Sequence, residues 1–174
     1  MAIREATVDD IESIQDVAQQ SWTQDYPKIL SRESLQEGLD DWYSEERVRD
    51  SIVWARALML VVERDDEIVG FAHGVWDNET EVGNILRVYV APDARGEGTG
   101  GRLLEETCRS LFEQGVEQVN AMVLDANELG KDFYGAFGFE RDDVETVSIG
   151  DDDYQECTYV LERESYAEEI DGIA

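Results

Sequence analysis

Residues 88–104, VYVAPDARGEGTGGRLL, constrain the fold more than any other stretch of the chain. An apolar run meets Pro92, then four glycines within residues 96–101, then Leu103 and Leu104. Glycine costs backbone entropy and weakens helix and strand alike. Such a density where a strand turns into a helix implies a need for bare backbone. The first amides of a helix lack intrahelical acceptors, and the macrodipole places partial positive charge beside them. Without side chains in the way, phosphate oxygens can approach those amides closely. The segment therefore reads as strand, anion-binding loop and helix, with a ligand-free glycine turn as the plainer alternative. It also predicts a right-handed, parallel strand–helix–strand unit over residues 85–124.

The remaining segments supply partners for that unit. AIREA (2–6) reads as a first strand. Thr7 or Asp9 caps a helix reaching Gln20, with Ile11, Ile14, Val17 and Ala18 on one face. Residues 21–30, containing Pro27, read as a loop. Ser31 opens a second helix striped by Leu35, Leu39 and Trp42, and Ser44 a third that reaches Trp54. ALMLVVE (57–63) and IVGFAHGVW (68–76) flank an RDDE turn and read as a hairpin, and ILRVYV (85–90) runs into the glycines. The helix from Thr99 to Gln114 presents Leu104, Cys108, Leu111 and Phe112 inward and stops at Gly115. VEQVNAMVL (116–124) is a strand, residues 127–137 a short helix closed by Gly138, and two strands around GDDD finish the chain. The expected architecture is one mixed α/β domain over 1–163, followed by a weakly structured acidic tail, 164–174.

Forty-two acidic residues face fourteen basic ones, a formal net charge of −28. Affinity for phosphate backbones and anionic membranes comes largely from Lys and Arg, so neither nucleic acid nor membrane is an expected partner. The acids are scattered along the chain rather than massed in one tail. That resembles the composition of proteins from salt-accumulating halophiles, where concentrated salt screens self-repulsion. No stretch is apolar enough to span a membrane, and MAIREATVDD lacks a signal-peptide core, so a cytoplasmic location is expected. Cys108, Cys157 and the single histidine, His73, offer no metal-site spacing.

Three kinds of phosphate loop compete for residues 95–102. The nucleotide P-loop fails, because Gly101 is followed by Arg102 and Leu103 rather than Lys and Ser/Thr. The dinucleotide fingerprint fits Gly96, Gly98 and Gly101, with Asp125 as a stand-in for its ribose acid. The chain after Asp125, however, is short and reads as an antiparallel finish. The third kind accounts for more residues. Arg95-Gly96-Glu97-Gly98-Thr99-Gly100 resembles the Q/R-x-x-G-x-G/A motif of the GCN5-related N-acetyltransferases, and LRVYVAP is similar to the strand before it. Asn127, Gly130, Phe133, Tyr134, Phe137, Gly138 and Phe139 match that family's second block.

The resemblance implies acetyl-coenzyme A as co-substrate and no metal. It also implies a central mixed sheet, splayed at the cofactor strand, with helices on both faces. By position, Val88 and Val90 would offer backbone to the pantetheine arm. Arg95, Gly96, Gly98, Thr99, Gly100 and Gly101 would hold the pyrophosphate, with Arg95 and Arg102 adding charge. Asn127 would bond the cofactor arm or simply cap its helix. Tyr134 would protonate the departing thiolate, since a phenol keeps its proton at neutral pH. The family's usual glutamate position holds Asn84, which leaves Glu81, His73 or a water ordered by Asn84 as the base. The acceptor is expected to be a primary amine of a small molecule or protein, in a pocket shaped by residues 21–43 and 142–154. Association of two copies is compatible with the sequence. A non-catalytic acyl-coenzyme A sensor and a dinucleotide-dependent oxidoreductase are the alternatives.

Overall fold

The elements form where local sequence favours them. Thr7 and Asp10 make a capping box: the Thr7 side chain accepts from Asp9 N, and Asp10 accepts from Thr7 N at 2.8 Å. Strand β1 (Ala2–Glu5) precedes this cap and helix α1 (Ile11–Asp25) follows it. Ser31 caps α2 (Arg32–Trp42) and Ser44 caps α3 (Glu45–Val53). Strands β2 (Ala57–Arg64), β3 (Glu67–Asp77) and β4 (Val82–Val90) follow, then α4 (Thr99–Glu113) and β5 (Gln118–Leu124). Helix α5 (Glu128–Phe137) and strands β6 (Glu140–Ile149) and β7 (Asp152–Glu162) complete the domain. This is a computed structural model, and it describes residues 1–27 and 29–166.

The strands make one seven-stranded sheet in the order β1-β2-β3-β4-β5-β7-β6. Among the described residues only β4 and β5 run parallel; every other neighbouring pair is antiparallel. Helices α1 and α3 pack on one face through Trp22, Val48 and Phe71. Helix α4 covers the other through Leu104, Cys108 and Leu111, joined by Tyr134 of α5. This is the expected mixed α/β sheet with helices on both faces. Strand β6 forms one edge, and its residues 140–146 are all exposed.

Two boundaries differ from expectation. Helix α1 continues to Asp25, where a loop was expected from residue 21. Ser21 and Trp22 extend the buried stripe of Ile14, Val17 and Ala18 by another turn, and burial of Trp22 at 1% exposure outweighs its modest helix propensity. At the other end, residues 163–166 are helical and Tyr166 stacks on Phe112 with ring centroids 4.8 Å apart. The rest of the expected tail, 167–174, lies outside the described residues.

The sheet opens in the middle. Parallel pairing of β4 with β5 runs from Val82↔Gln118 only to Ile85↔Ala121. On the other side of β4, His73 faces Arg87 while Gly74 faces Ile85, so Leu86 is an extra residue bulged out of the ladder. A bulge bends its strand and increases local twist, which here carries residues 86–90 away from β5. The splay expected at the cofactor strand is thus present and begins at Leu86.

Helix α2 reaches the sheet through Gly38. A Cβ there would lie 2.7 Å from Trp22 Cζ3 and 2.9 Å from Ile149 Cγ2. The rigid indole cannot yield cheaply, so Gly38→Ala should lose about 1–2 kcal/mol despite its better helix propensity. Urea unfolding of the two proteins measures this directly.

Candidate active site

The opening between the strands is the center of a continuous cleft. Its outer part, about 480 Å³, is bounded by Val88 and Val90, the glycine loop, the start of α4 and the start of α5. Its inner recess, about 80 Å³, passes between Leu86–Tyr89 and Met122–Leu124 to reach Trp22, Trp42, Tyr134 and Glu156. Tyr26, Val88, Tyr89, Asn127, Gly130 and Phe133 border both parts.

The backbone of β4 faces this cleft by alternation. Ala91 N donates to Val69 O across to β3, so Val88 and Val90 turn their peptide groups the other way, toward the gap. The Val90 carbonyl accepts from Arg95 Nε at 2.8 Å. Its N–H has no strand opposite it, because β5 has already parted. Buried backbone donors without partners are rare, and a row of them along one edge is a place for a ligand's amide groups.

The loop that follows exposes bare backbone. Gly96 and Gly98 hold φ of 86° and 79°, which L-residues with side chains seldom adopt, and a Cβ on either would meet nothing within 4 Å. Helix α4 begins without a side-chain cap and carries no acidic residue in its first turn, in a chain with forty-two acids. The amides of Thr99, Gly100 and Gly101 therefore have no capping side chain among the described residues. The Thr99 side chain is turned away from the loop's open side: it is 2% exposed and its hydroxyl points at Met1 Sδ, 3.5 Å away.

The two loop arginines part company. Arg95 donates from both Nη atoms to Asp25, each at 2.8 Å, so with its bond to Val90 it clamps the end of α1 to the end of β4. Its guanidinium is spent inside the protein, whereas Arg102 is exposed and makes no ion pair among the described residues.

Helix α5 brings in the second set of groups. Asn127 is its N-cap: Oδ1 accepts from Gly130 N at 3.0 Å, which leaves the Nδ2 donors for the cleft. A Cβ on Gly130 would strike Val123 Cγ2 at 2.7 Å and Asn127 Nδ2 at 2.8 Å, so a glycine permits the close approach of α5 to β5. Tyr134 is 5% exposed, packed among Phe133, Phe139 and Tyr159, and lines the recess. Burial raises its phenol pKa above the ordinary value. Its hydroxyl bonds to no described residue.

The residues weighed as base do not converge there. Glu81 is exposed, at φ 60° in the turn before β4, and Asn84 faces Asn120 in the closed part of the ladder. Neither borders the cleft. His73 is 8% exposed beneath Arg87, and burial and that charge lower its pKa to about 4. It is neutral at physiological pH and a poor proton acceptor. Two charged residues of the recess had drawn no attention in the sequence, Arg87 on β4 and Glu156 on β7. Burial raises the Glu156 pKa, and the Arg87 charge opposes this.

Asp125 is already engaged. It pairs with Lys131 at 3.3 Å and accepts from Cys157 Sγ at 3.1 Å, so it does not serve as the ribose acid of a dinucleotide site. With a single parallel strand pair, the sheet is not a doubly wound one either.

A split parallel pair with an amide-lined loop at its mouth and a tyrosine helix beside it fits the acyl-coenzyme A site that the sequence resemblance implies. Comparison with known proteins agrees. The sequence profile of the Acetyltransferase (GNAT) family matches residues 12–139. A spermidine N(1)-acetyltransferase of Thermoplasma acidophilum is 28% identical over 148 residues, 82% of this chain and 90% of that one. The crystal structure of the PaiA N-acetyltransferase of the same organism, in complex with coenzyme A, superposes with TM-score 0.77 at 26% identity, covering 90% of this chain and 96% of that one. The Escherichia coli ribosomal-protein-S18-alanine N-acetyltransferase shares the fold, with TM-score 0.71 at 16% identity over 92% of each chain. The chain belongs to the GNAT acetyltransferase family, and its co-substrate is acetyl-coenzyme A.

The glycine loop yields a separable test. Gly98→Ala puts a side chain at φ 79° and into the ligand's space. It should cost about 1 kcal/mol of stability and weaken coenzyme A binding more than tenfold. Denaturant unfolding and isothermal titration read the two effects separately.

Proposed function

We propose that acetyl transfer to a primary amine in this chain is run by Val90 N–H, Tyr134 and Glu156. The observation that carries the reading is the cleft itself: the Tyr134 phenol and the Glu156 carboxylate line its recess beside Val88, and Val90 lines the outer part that shares the Val88–Tyr89 wall. The bound co-substrate supplies an acetyl group activated as a thioester. Val88 and Val90 orient its arm by backbone pairing, Asn127 Nδ2 supports the arm from α5, and the amides of residues 96–101 hold its diphosphate. Val90 N–H, directed into the gap, stabilises negative charge developing on the thioester oxygen.

Glu156 takes the proton that the acceptor ammonium must lose before its nitrogen can attack. Its raised pKa suits this role better than an ordinary carboxylate, because the proton-transfer gap to an amine is smaller. Tyr134 then gives its proton to the departing thiolate sulfur. Burial keeps the phenol neutral until that charge appears. Glu81 and Asn84 remain second in this scheme, as groups outside the recess that act only through ordered water.

We read the acidic surface as an adaptation to concentrated salt in a cytoplasmic enzyme. The exposed acids extend over α2, α3, β6 and the β6–β7 turn alike, which supports a general property rather than a docking patch.

Tyr134→Phe should retain coenzyme A binding and slow acetylation of any accepted amine about 100-fold or more. Thermal shift in concentrated KCl tests the cofactor: a ligand at 100 times its Kd adds about 2.7 kcal/mol. Acetyl-coenzyme A should stabilise the protein and NAD should not. A protein stabilised by acetyl-coenzyme A that acetylates nothing in a broad amine panel would instead be the sensor. For Glu156, kcat/KM should rise with pH as the carboxylate loses its proton. That limb lies above the ordinary glutamate range and vanishes in Glu156→Gln.

A further inference from the structure

We infer that the acceptor is a small amine that also carries a carboxylate, of amino-acid type, held between Arg87 and Glu156. The inference rests on the acetyl-transfer reading and names its substrate class.

The starting observation is an arginine without a partner. Five arginines are partly buried, namely Arg4, Arg64, Arg87, Arg95 and Arg163. Four of them meet carboxylates: Arg4 with Asp10, Arg64 with Glu97, Arg95 with Asp25 and Arg163 with Glu117. Arg87 makes no ion pair with any described carboxylate, and its Nε is fully buried and unsatisfied; its polar neighbour is the buried Tyr43 hydroxyl, which carries no charge to neutralise it. In a chain with forty-two acids, a sheltered guanidinium with no carboxylate of its own is the exception. Leaving such a charge unpaired is costly.

The surroundings hold the group ready rather than neutralise it. The guanidinium carbon lies 4.9 Å from the Trp42 ring centroid and 5.2 Å from that of Tyr43, and aromatic faces stabilise a cation without occupying its in-plane N–H donors. The Leu86 bulge reverses the side-chain alternation just before Arg87, which aims it into the recess. Arginine's planar fork matches a carboxylate, with two parallel hydrogen bonds.

Glu156 borders the same recess and feels the Arg87 charge without forming a direct ion pair with it. One small space thus offers a cation and an anion that do not satisfy each other. A zwitterion satisfies both: its carboxylate meets Arg87 and its amine meets Glu156, beside Tyr134. The volume of about 80 Å³ suits a compact head group. A polyamine, the acceptor in the name of the Thermoplasma acidophilum relative, would set an ammonium near Arg87 with no anion to offset it.

The test has two independent arms. Thiol release from acetyl-coenzyme A is followed with free amino acids, the same amino acids as carboxamides, and spermidine, each rate corrected for its fraction of neutral amine. The best amino acid should exceed its amide in kcat/KM by roughly 10- to 100-fold. The second arm needs no turnover: calorimetry on the coenzyme A-loaded protein compares a panel of N-acetyl amino acids with their N-acetyl amides, and the acids should bind tighter by a similar factor. Arg87→Gln should erase both preferences, and Arg87→Lys should keep much of each while melting near the parent temperature. Equal rates and equal binding for acid and amide, or preferences that survive Arg87→Gln, overturn the inference. If no amine releases thiol, the acetyl-transfer reading fails, and the calorimetric comparison alone decides whether Arg87 binds a carboxylate.

Discussion

The parting of β4 from β5 after Ile85↔Ala121 is the constraint on which the rest of the molecule depends. A parallel pair that continued to the ends of both strands would satisfy its own amides and leave no space between them. Because it stops, the inward peptide groups of Val88 and Val90 need another partner, and the domain has a cleft through the middle of its sheet instead of at its rim. The cost of the lost ladder is spread over neighbours. Arg95 Nε takes the Val90 carbonyl, and Trp22 Nε1 donates to the Tyr89 hydroxyl at 2.9 Å from the helix above. Helix α5, brought close by Gly130, walls the other side.

Much of this was legible in the sequence, for physical reasons that can be named. The glycine loop stands out because its backbone requirement excludes other residues, and φ of 86° and 79° at Gly96 and Gly98 are that requirement. Asn127 was readable as a cap because capping is local, whereas Tyr134 was singled out by the family resemblance. The strand order needed only hairpin turns and one crossover. The continuation of α1 to Asp25 was missed because Pro27 suggested an earlier break, whereas burial of Trp22 rewards another turn.

What stayed hidden was non-local. Leu86 looks like any strand residue in ILRVYV, and only the register against β3 reveals it as the extra one. Arg87 then owes its direction to that bulge. Glu156 is one acid among forty-two, and nothing in DDDYQECTYV marks it from its neighbours; it borders the recess because β7 pairs with β5 through Leu124↔Glu156. Pairings far apart in sequence carry no local signal, so charges that meet across strands are invisible until the strands are placed.

The exposed edge strand β6 carries a consequence of its own. Its run Glu140, Arg141, Asp142, Asp143, Val144, Glu145 offers open backbone groups that a second extended chain could zip onto, and only the side chains discourage this. In dilute buffer the deterrent is mutual repulsion between carboxylates. At about 1 M salt the Debye length falls to about 3 Å, and repulsion at longer range disappears. Deterrence then depends on the water each carboxylate would have to surrender, a short-range toll that ionic strength does not screen away. A fringe of acids therefore opposes pairing at this border under both regimes, by a different force in each.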